Sequence, residues 1–339
     1  MRVHIITRTR VPGQTPPWQR ELARAVRDPG ELLQLLGLDP AWLPGAQAAA
    51  RLFPLRVPHP YLRRIRHGDP RDPLLRQVLP LDDETVPTPG YQADPLQEAA
   101  AAIAPGLLQK YQGRALLIAT GACAVHCRYC FRRHFPYGEH HSGRHWEAAL
   151  AQVRADDSLR EVILSGGDPL SLGDEPLAEL AAALAAIPHL RRLRIHTRLP
   201  IVVPERVNDA LGGWLAHSPL RTVVVVHVNH PNEIDAAVRD SLRRMTDFGV
   251  TLLNQSVLLR GVNDDATTLI SLSEALFDAG TLPYYLHALD PVAGAAHFAV
   301  PDPVAQGIHR EITARLPGYL VPRLVRELPG APAKLPIPL

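Results

Sequence analysis

The chain of 339 residues is poor in several residue types, and each shortage narrows what it can be. It has three cysteines, all between positions 123 and 130. That is no disulfide framework, and a reducing, cytoplasmic setting fits it better. It has two lysines, Lys110 and Lys334, against 34 arginines. Its formal charge is only +2, so no electrostatic footprint for nucleic acid or an anionic membrane surface is expected. No apolar run approaches the ~18 residues of a membrane span. The opening residues, Met1-Arg2-Val3-His4-Ile5-Ile6, lack the apolar stretch of a secretory leader. Aromatics are scarce at 5%, yet 46% hydrophobic and 21% charged residues make an ordinary globular chain.

Proline is abundant, at 34 residues, and serves mostly as punctuation. Asp28-Pro29, Asp39-Pro40, Asp69-Pro70, Asp72-Pro73 and Asp94-Pro95 each put a capping acceptor before a residue suited to the first helical position. Residues 16–110 therefore read as short helices with sharp turns. Trp18, Leu22 and Val26 mark one apolar face, and Leu32, Leu33, Leu35 and Leu36 another. This N-terminal helical region, residues 1–110, reads as a platform or an oligomer contact without chemistry of its own.

From about residue 115 the texture changes to apolar, β-branched runs: Ala115–Thr120, Glu161–Ser165, Leu193–Thr197, Thr222–Val228, Thr251–Val257 and Tyr284–Leu289. The last five begin about 30 residues apart, the size of a βαβ unit. Each run leads to polar or glycine-rich residues, such as Ser165-Gly166-Gly167-Asp168 and His287-Ala288-Leu289-Asp290. Polar groups at the carboxyl ends of successive parallel strands are how an α/β barrel builds a site. The expected fold is α/β, a partial (βα)6 TIM-type barrel over residues 111–318, with a C-terminal segment at 319–339. A flat doubly wound sheet is the alternative, but it uses mainly its switch point.

Cys123, Cys127 and Cys130 have the spacing C-x3-C-x2-C on a loop after a strand. Three such thiolates can hold three corners of a [4Fe–4S] cube. With no fourth cysteine, one iron is left open to an exogenous ligand, as in a catalytic metal site. Structural zinc completed by His126, His134, His140, His141 or His145 is the competing reading. No second Cys or His pair stands at zinc-finger spacing to support it.

The second rare residue type adds to this. Lys334 lies in Glu327-Leu-Pro-Gly330-Ala-Pro-Ala-Lys334, where arginine has replaced lysine nearly everywhere else. Arginine forms no imine at neutral pH, whereas lysine does, so Lys334 is a candidate anchor for pyridoxal phosphate. Lys110 is as rare but has no comparable setting.

The cysteine motif, with an aromatic before its last cysteine, resembles that of the radical S-adenosylmethionine enzymes. Ser165-Gly166-Gly167-Asp168 resembles their glycine-rich segment. Together with the lysine loop, the chain resembles the lysine 2,3-aminomutases over roughly residues 100–338. Cys130-Phe-Arg132-Arg133, His230-Pro-Asn-Glu-Ile234 and Asn254-Gln-Ser-Val-Leu-Leu-Arg-Gly-Val-Asn-Asp264 carry that likeness. A closer resemblance, over nearly the whole chain, is to the EpmB type, which acts in the β-lysylation of elongation factor P. It rests on Asp72-Pro-Leu-Leu-Arg-Gln-Val-Leu79, Cys130-Phe-Arg-Arg-His-Phe-Pro-Tyr137 and Gly294-Ala-Ala-His-Phe298.

The resemblance implies an isomerase that turns (S)-α-lysine into (R)-β-lysine, which a ligase attaches to elongation factor P. Cys123, Cys127 and Cys130 would hold the cluster, whose open iron binds S-adenosylmethionine. Ser165, Gly166, Gly167 and Asp168 would line the bound S-adenosylmethionine, and Lys334 would carry pyridoxal phosphate. Arg132 would bind the substrate carboxylate. Asp290 and Glu327 would bind the distal ammonium, with Glu327 replacing an aspartate of the family. A flavodoxin- or ferredoxin-type reductant is implied as a partner. The lack of any cysteine after Cys130 favours this shorter type over the aminomutases of amino-acid catabolism, which carry a zinc-binding extension. A non-catalytic zinc protein associated with translation is the rival from another class.

Overall fold

A computed structural model describes residues 15–137 and 146–338. Its centre is a ten-stranded sheet whose strands neighbour one another in strict chain order. The strands are β1 (Ala102–Ala104), β2 (Leu107–Tyr111), β3 (Arg114–Thr120), β4 (Glu161–Gly166), β5 (Arg192–Thr197), β6 (Arg221–Val226), β7 (Thr251–Val257), β8 (Leu282–His287), β9 (Arg323–Arg326) and β10 (Leu335–Pro336). From β3 to β9 every pair is parallel, and an antiparallel hairpin finishes each edge.

Six helices alternate with the parallel strands: Glu147–Ala155, Asp174–Ala185, Asp209–Leu215, Ala236–Asp247, Ala266–Asp278 and Asp302–Arg315. β4 is buried along its whole length, as expected of a parallel strand covered on both faces. The six apolar runs read from the sequence are β3 to β8, each within two residues at its ends. Among the described residues, no helix is long and apolar enough to cross a membrane.

The sheet curls on itself. Lys110 on β2 lies 2.8 Å from Glu327, which follows β9 directly. Those strands are seven steps apart, about 34 Å in a flat sheet at ~4.8 Å per strand. Side chains, not backbone pairs, therefore bring the two edges together.

The N-terminal part supplies short helices at Pro17–Ala23, Pro29–Leu35 and Leu43–Leu52. Asp28 and Asp72 cap helices as their Asp-Pro pairs predict, accepting from Glu31 N and from Leu74 and Leu75 N. Asp69 and Asp94 instead bond turn backbone. Trp18, Leu22 and Val26 are all buried, but the helix stops at Ala23 and Val26 pairs with Val57 in an isolated bridge. Leu32, Leu33 and Leu36 are buried, while Leu35 is exposed.

The expectation of helix through residue 110 is corrected at β1 and β2. Gly106 takes a left-handed φ of 72°, which turns the chain into a hairpin. Leu107 and Leu108 are buried there and pair with β3. At the other end, β9 and β10 make the C-terminal segment part of the same sheet.

Candidate active site

The strand ends open into a cavity of about 280 Å³ whose wall includes all three cysteines and Lys334. The cysteine loop leaves β3 and is laced to the loop after β4. Gly167 N donates to Thr120 O, and Asp168 N donates to Ala122 O, both at 2.8 Å. A Cβ on Gly166, where φ is +112°, would stand 2.6 Å from Thr120 O. One on Gly167 would stand 2.4 Å from Ala122 O. Glycine is required at both places because two backbones touch.

Asp168 is buried, and its carboxylate is fully engaged. It accepts from Leu170 N at 3.0 Å, Thr197 Oγ1 at 2.7 Å and Arg198 N at 2.7 Å. The sequence places it among ligand-contacting groups. The structure makes it a tie between the ends of β4 and β5, with the adjacent backbone left to face the cavity.

Cys123 and Cys130 sit in a setting that disfavours bare thiolates. Burial pushes Cys123 well up, helped by Cys130 and Asp168. Burial and Cys127 push Cys130 up to about 11. A cationic cluster removes that mutual repulsion, so the donor set fits one. No three His, Cys, Asp or Glu side chains among the described residues converge on a single metal ion. A cube takes each thiolate on a different iron and does not need them to. His126 and His134 each commit a ring nitrogen to a backbone carbonyl, of Pro54 and Ala293. His140, His141 and His145 lie outside the described residues.

Behind Cys127 stands a buried network that sequence reading did not find. Arg198, at the end of β5, donates from Nη1 to Cys127 Sγ at 2.7 Å. Its Nη2 donates to Gln77 Oε1 at 2.7 Å and Glu233 Oε2 at 2.8 Å. Gln77 comes from the N-terminal region, so that region reaches the cysteine loop directly. Arg128 and Arg133 do so too: both donate to the fully buried Glu84, each with one bond of 2.6 Å. Hence the arginines around the cysteines are not a solvated face.

The opposite wall carries a row of alternating charges. Arg132 grips Glu98 with two bonds, 2.6 and 2.8 Å, and donates to Ser165 Oγ at 2.9 Å. Lys110 bridges Glu98 and Glu327 at 2.9 and 2.8 Å. Lys334 pairs with the other oxygen of Glu327. Burial opposes the charge on Glu327, but Lys334 and Lys110 outweigh it and hold the carboxyl well below its usual range. Asp290 lies close by with no hydrogen-bond donor among the described residues. Burial and the neighbouring Glu327 push it up to about 7. Of the predicted substrate groups, Arg132, Asp290 and Glu327 thus share one cavity with Lys334. Lys110 and Glu98 join them unpredicted, and only the rarity of lysine signalled the former.

Between the walls stand His196 on β5, His227 just after β6 and His287 on β8. Burial and nearby Arg198 and Arg132 push His227 down to about 3. Burial also pushes His196 and His287 well down, with further cations adding to it. Nε2 of His196 and of His287 has no partner among the described residues. Unpartnered polar atoms on a cavity wall, beside a lysine, suit a polar organic cofactor.

Comparison with known proteins agrees with this geometry. Residues 117–270 match the model of the Radical SAM superfamily. The chain is 53% identical to the L-lysine 2,3-aminomutase of Escherichia coli strain K12, over 95% of this chain and 94% of that one. It is 49% identical to that of Haemophilus influenzae, over 94% of each. Against that of Clostridium subterminale it is 33% identical, over 94% of this chain and 77% of the relative. The chain belongs to the lysine 2,3-aminomutase family of radical SAM isomerases.

Proposed function

We propose that this isomerase uses a [4Fe–4S] cluster, S-adenosylmethionine and pyridoxal phosphate to convert (S)-α-lysine to (R)-β-lysine. The observation that carries the reading is that three cysteines and Lys334, separated by some 200 residues of chain, line one cavity. When bound, the cofactors supply a carbon radical that removes a hydrogen from Cβ of lysine and a conjugated system through which the nitrogen moves.

The chain's own residues bind, orient and exclude water. Cys123, Cys127 and Cys130 would hold the cluster, with Arg198 steadying Cys127. Lys334 would carry the pyridoxal, held in place by Glu327. Arg132 has one Nη2–H beyond its bonds to Glu98, so a carboxylate can approach it. Asp290 and Glu327 offer negative charge to a distal ammonium, and a buried ammonium needs such pairing. The neutral histidines between the ends add no competing charge. The strict chain order and meeting edges support a partial (βα)6 barrel around this site, with residues 111–318 as its body.

The setting proposed is the cytoplasm, with a flavodoxin- or ferredoxin-type reductant and a ligase that passes β-lysine to elongation factor P. Two of the three segments that resemble the EpmB type meet, and the third reaches the cysteine loop next to them. Arg133 Nη1 donates to Gly294 O at 3.1 Å, and Gln77 O accepts from Arg128 N beside the cysteines. Reconstituted protein incubated anaerobically with S-adenosylmethionine, dithionite and lysine should yield β-lysine by mass spectrometry. No β-lysine from protein with full iron and pyridoxal content would refute the activity. Adding the ligase and elongation factor P tests the pathway, where an unchanged factor mass would refute it.

A further inference from the structure

Lys110 is one of two lysines in the chain, and its ammonium sits in the middle of the charged row. Its place raises a question about Arg132. The Arg132 guanidinium is already matched by the two oxygens of Glu98. A fully matched, buried arginine has no surplus charge with which to attract a carboxylate. Lys110, 2.9 Å from Glu98, supplies the missing charge. The trio Arg132, Glu98 and Lys110 carries one net positive charge, and the same ammonium fixes Glu327 on its other side. Lys110 also lies 5.9 Å from the Phe131 ring, next to Arg132 in the chain.

We propose that Lys110 is a positioning residue for both ends of the substrate. By offsetting Glu98 it leaves Arg132 available to an α-carboxylate. By holding Glu327 beside Asp290 it fixes the acceptor for a distal ammonium. The substrate class it defines is an α-amino acid with a cationic side chain of set length. This rests on the proposed function, because Lys334 then belongs to the cofactor and Lys110 remains as the resident cation of Glu327.

A charge-restoring double substitution separates this from a merely structural role. Protein loaded with pyridoxal phosphate, without S-adenosylmethionine or reductant, is titrated with lysine and followed by its visible absorbance. Lys110→Met should weaken lysine binding at least tenfold, because Glu98 then cancels Arg132. Lys110→Met combined with Glu98→Gln again leaves Arg132 its charge, and should bind more tightly than Lys110→Met alone. The double variant removes one cation and one anion together, so it keeps the net charge of the cavity and remains informative if the single one folds poorly. Binding by Lys110→Met equal to that of the unaltered protein would overturn the proposal. So would a double variant no better than the single one. If the unaltered protein shows neither a pyridoxal band nor a response to lysine, the proposed function itself fails.

Discussion

Replacing Asp290 by asparagine should stabilise the ligand-free protein at neutral and higher pH. The carboxyl lies against the cavity wall with no donor, beside Glu327, and is pushed up to about 7 by burial and that neighbour. An unfolded aspartate ionises near pH 3.9. Between these values the folded chain holds a proton that the unfolded chain has released, so stability falls as pH rises through that window and stays low above it. A tenfold change in an ionisation equilibrium is worth about 1.36 kcal/mol. The cost of the carboxylate is then about 1.5 kcal/mol at pH 5 and at most about 4 kcal/mol at pH 8. Asparagine removes the titration at similar volume. Urea unfolding at both pH values should show the variant's advantage growing by about 2–3 kcal/mol from pH 5 to pH 8. An advantage that does not change with pH, or a variant less stable at pH 8, would refute the reasoning. On the proposed role of Asp290 as acceptor of the distal ammonium, the same variant should lose most of its affinity for lysine.

Other substitutions probe the supports. Glu84→Gln leaves Arg128 and Arg133 buried without their anion, and should cost about 3–5 kcal/mol in chemical denaturation; a loss under about 1 kcal/mol would sink that reading. Gly167→Ala forces a Cβ to 2.4 Å from Ala122 O and should displace the cysteine loop. Iron bound after reconstitution should fall sharply with little change in circular dichroism, and full iron content would contradict it. Arg198→Met alone should destabilise more than Arg198→Met with Glu233→Met, since the single change strands a buried carboxylate. Equal losses would show that the pair is not coupled.

Much of this was readable from the sequence. The apolar, β-branched runs gave β3 to β8, of which β4 is buried throughout while β5 and β7 alternate between buried and half-buried residues. The cysteine spacing and the isolated Lys334 picked out residues that line one cavity, since rare residues with specific chemistry stand out. The β1–β2 hairpin was missed because Ala102–Ala104 has no strand-like pattern; β1 is largely exposed and is held by β2, which is the strand that pairs with β3. Lys110, Glu98 and Arg198 were missed for a different reason. Each is tied to the cavity through a partner more than 30 residues away, Glu327, Arg132 and Glu233 respectively, and no local spacing records that. Asp168 shows the converse, where a motif correctly located a loop while its carboxylate serves the scaffold.

The meeting of the sheet's edges has a consequence for how the cavity is walled. A closed barrel can open only by breaking a ladder of backbone hydrogen bonds. Here the seam between the edge hairpins is spanned by Lys110 and Glu327. Among the described residues no backbone pair joins β1 to β10, so the edges meet there through side chains, and a pair this little exposed is screened by salt far less than one on the surface. The curled sheet is joined at that seam by charge, so residues that line the cavity also hold its wall together.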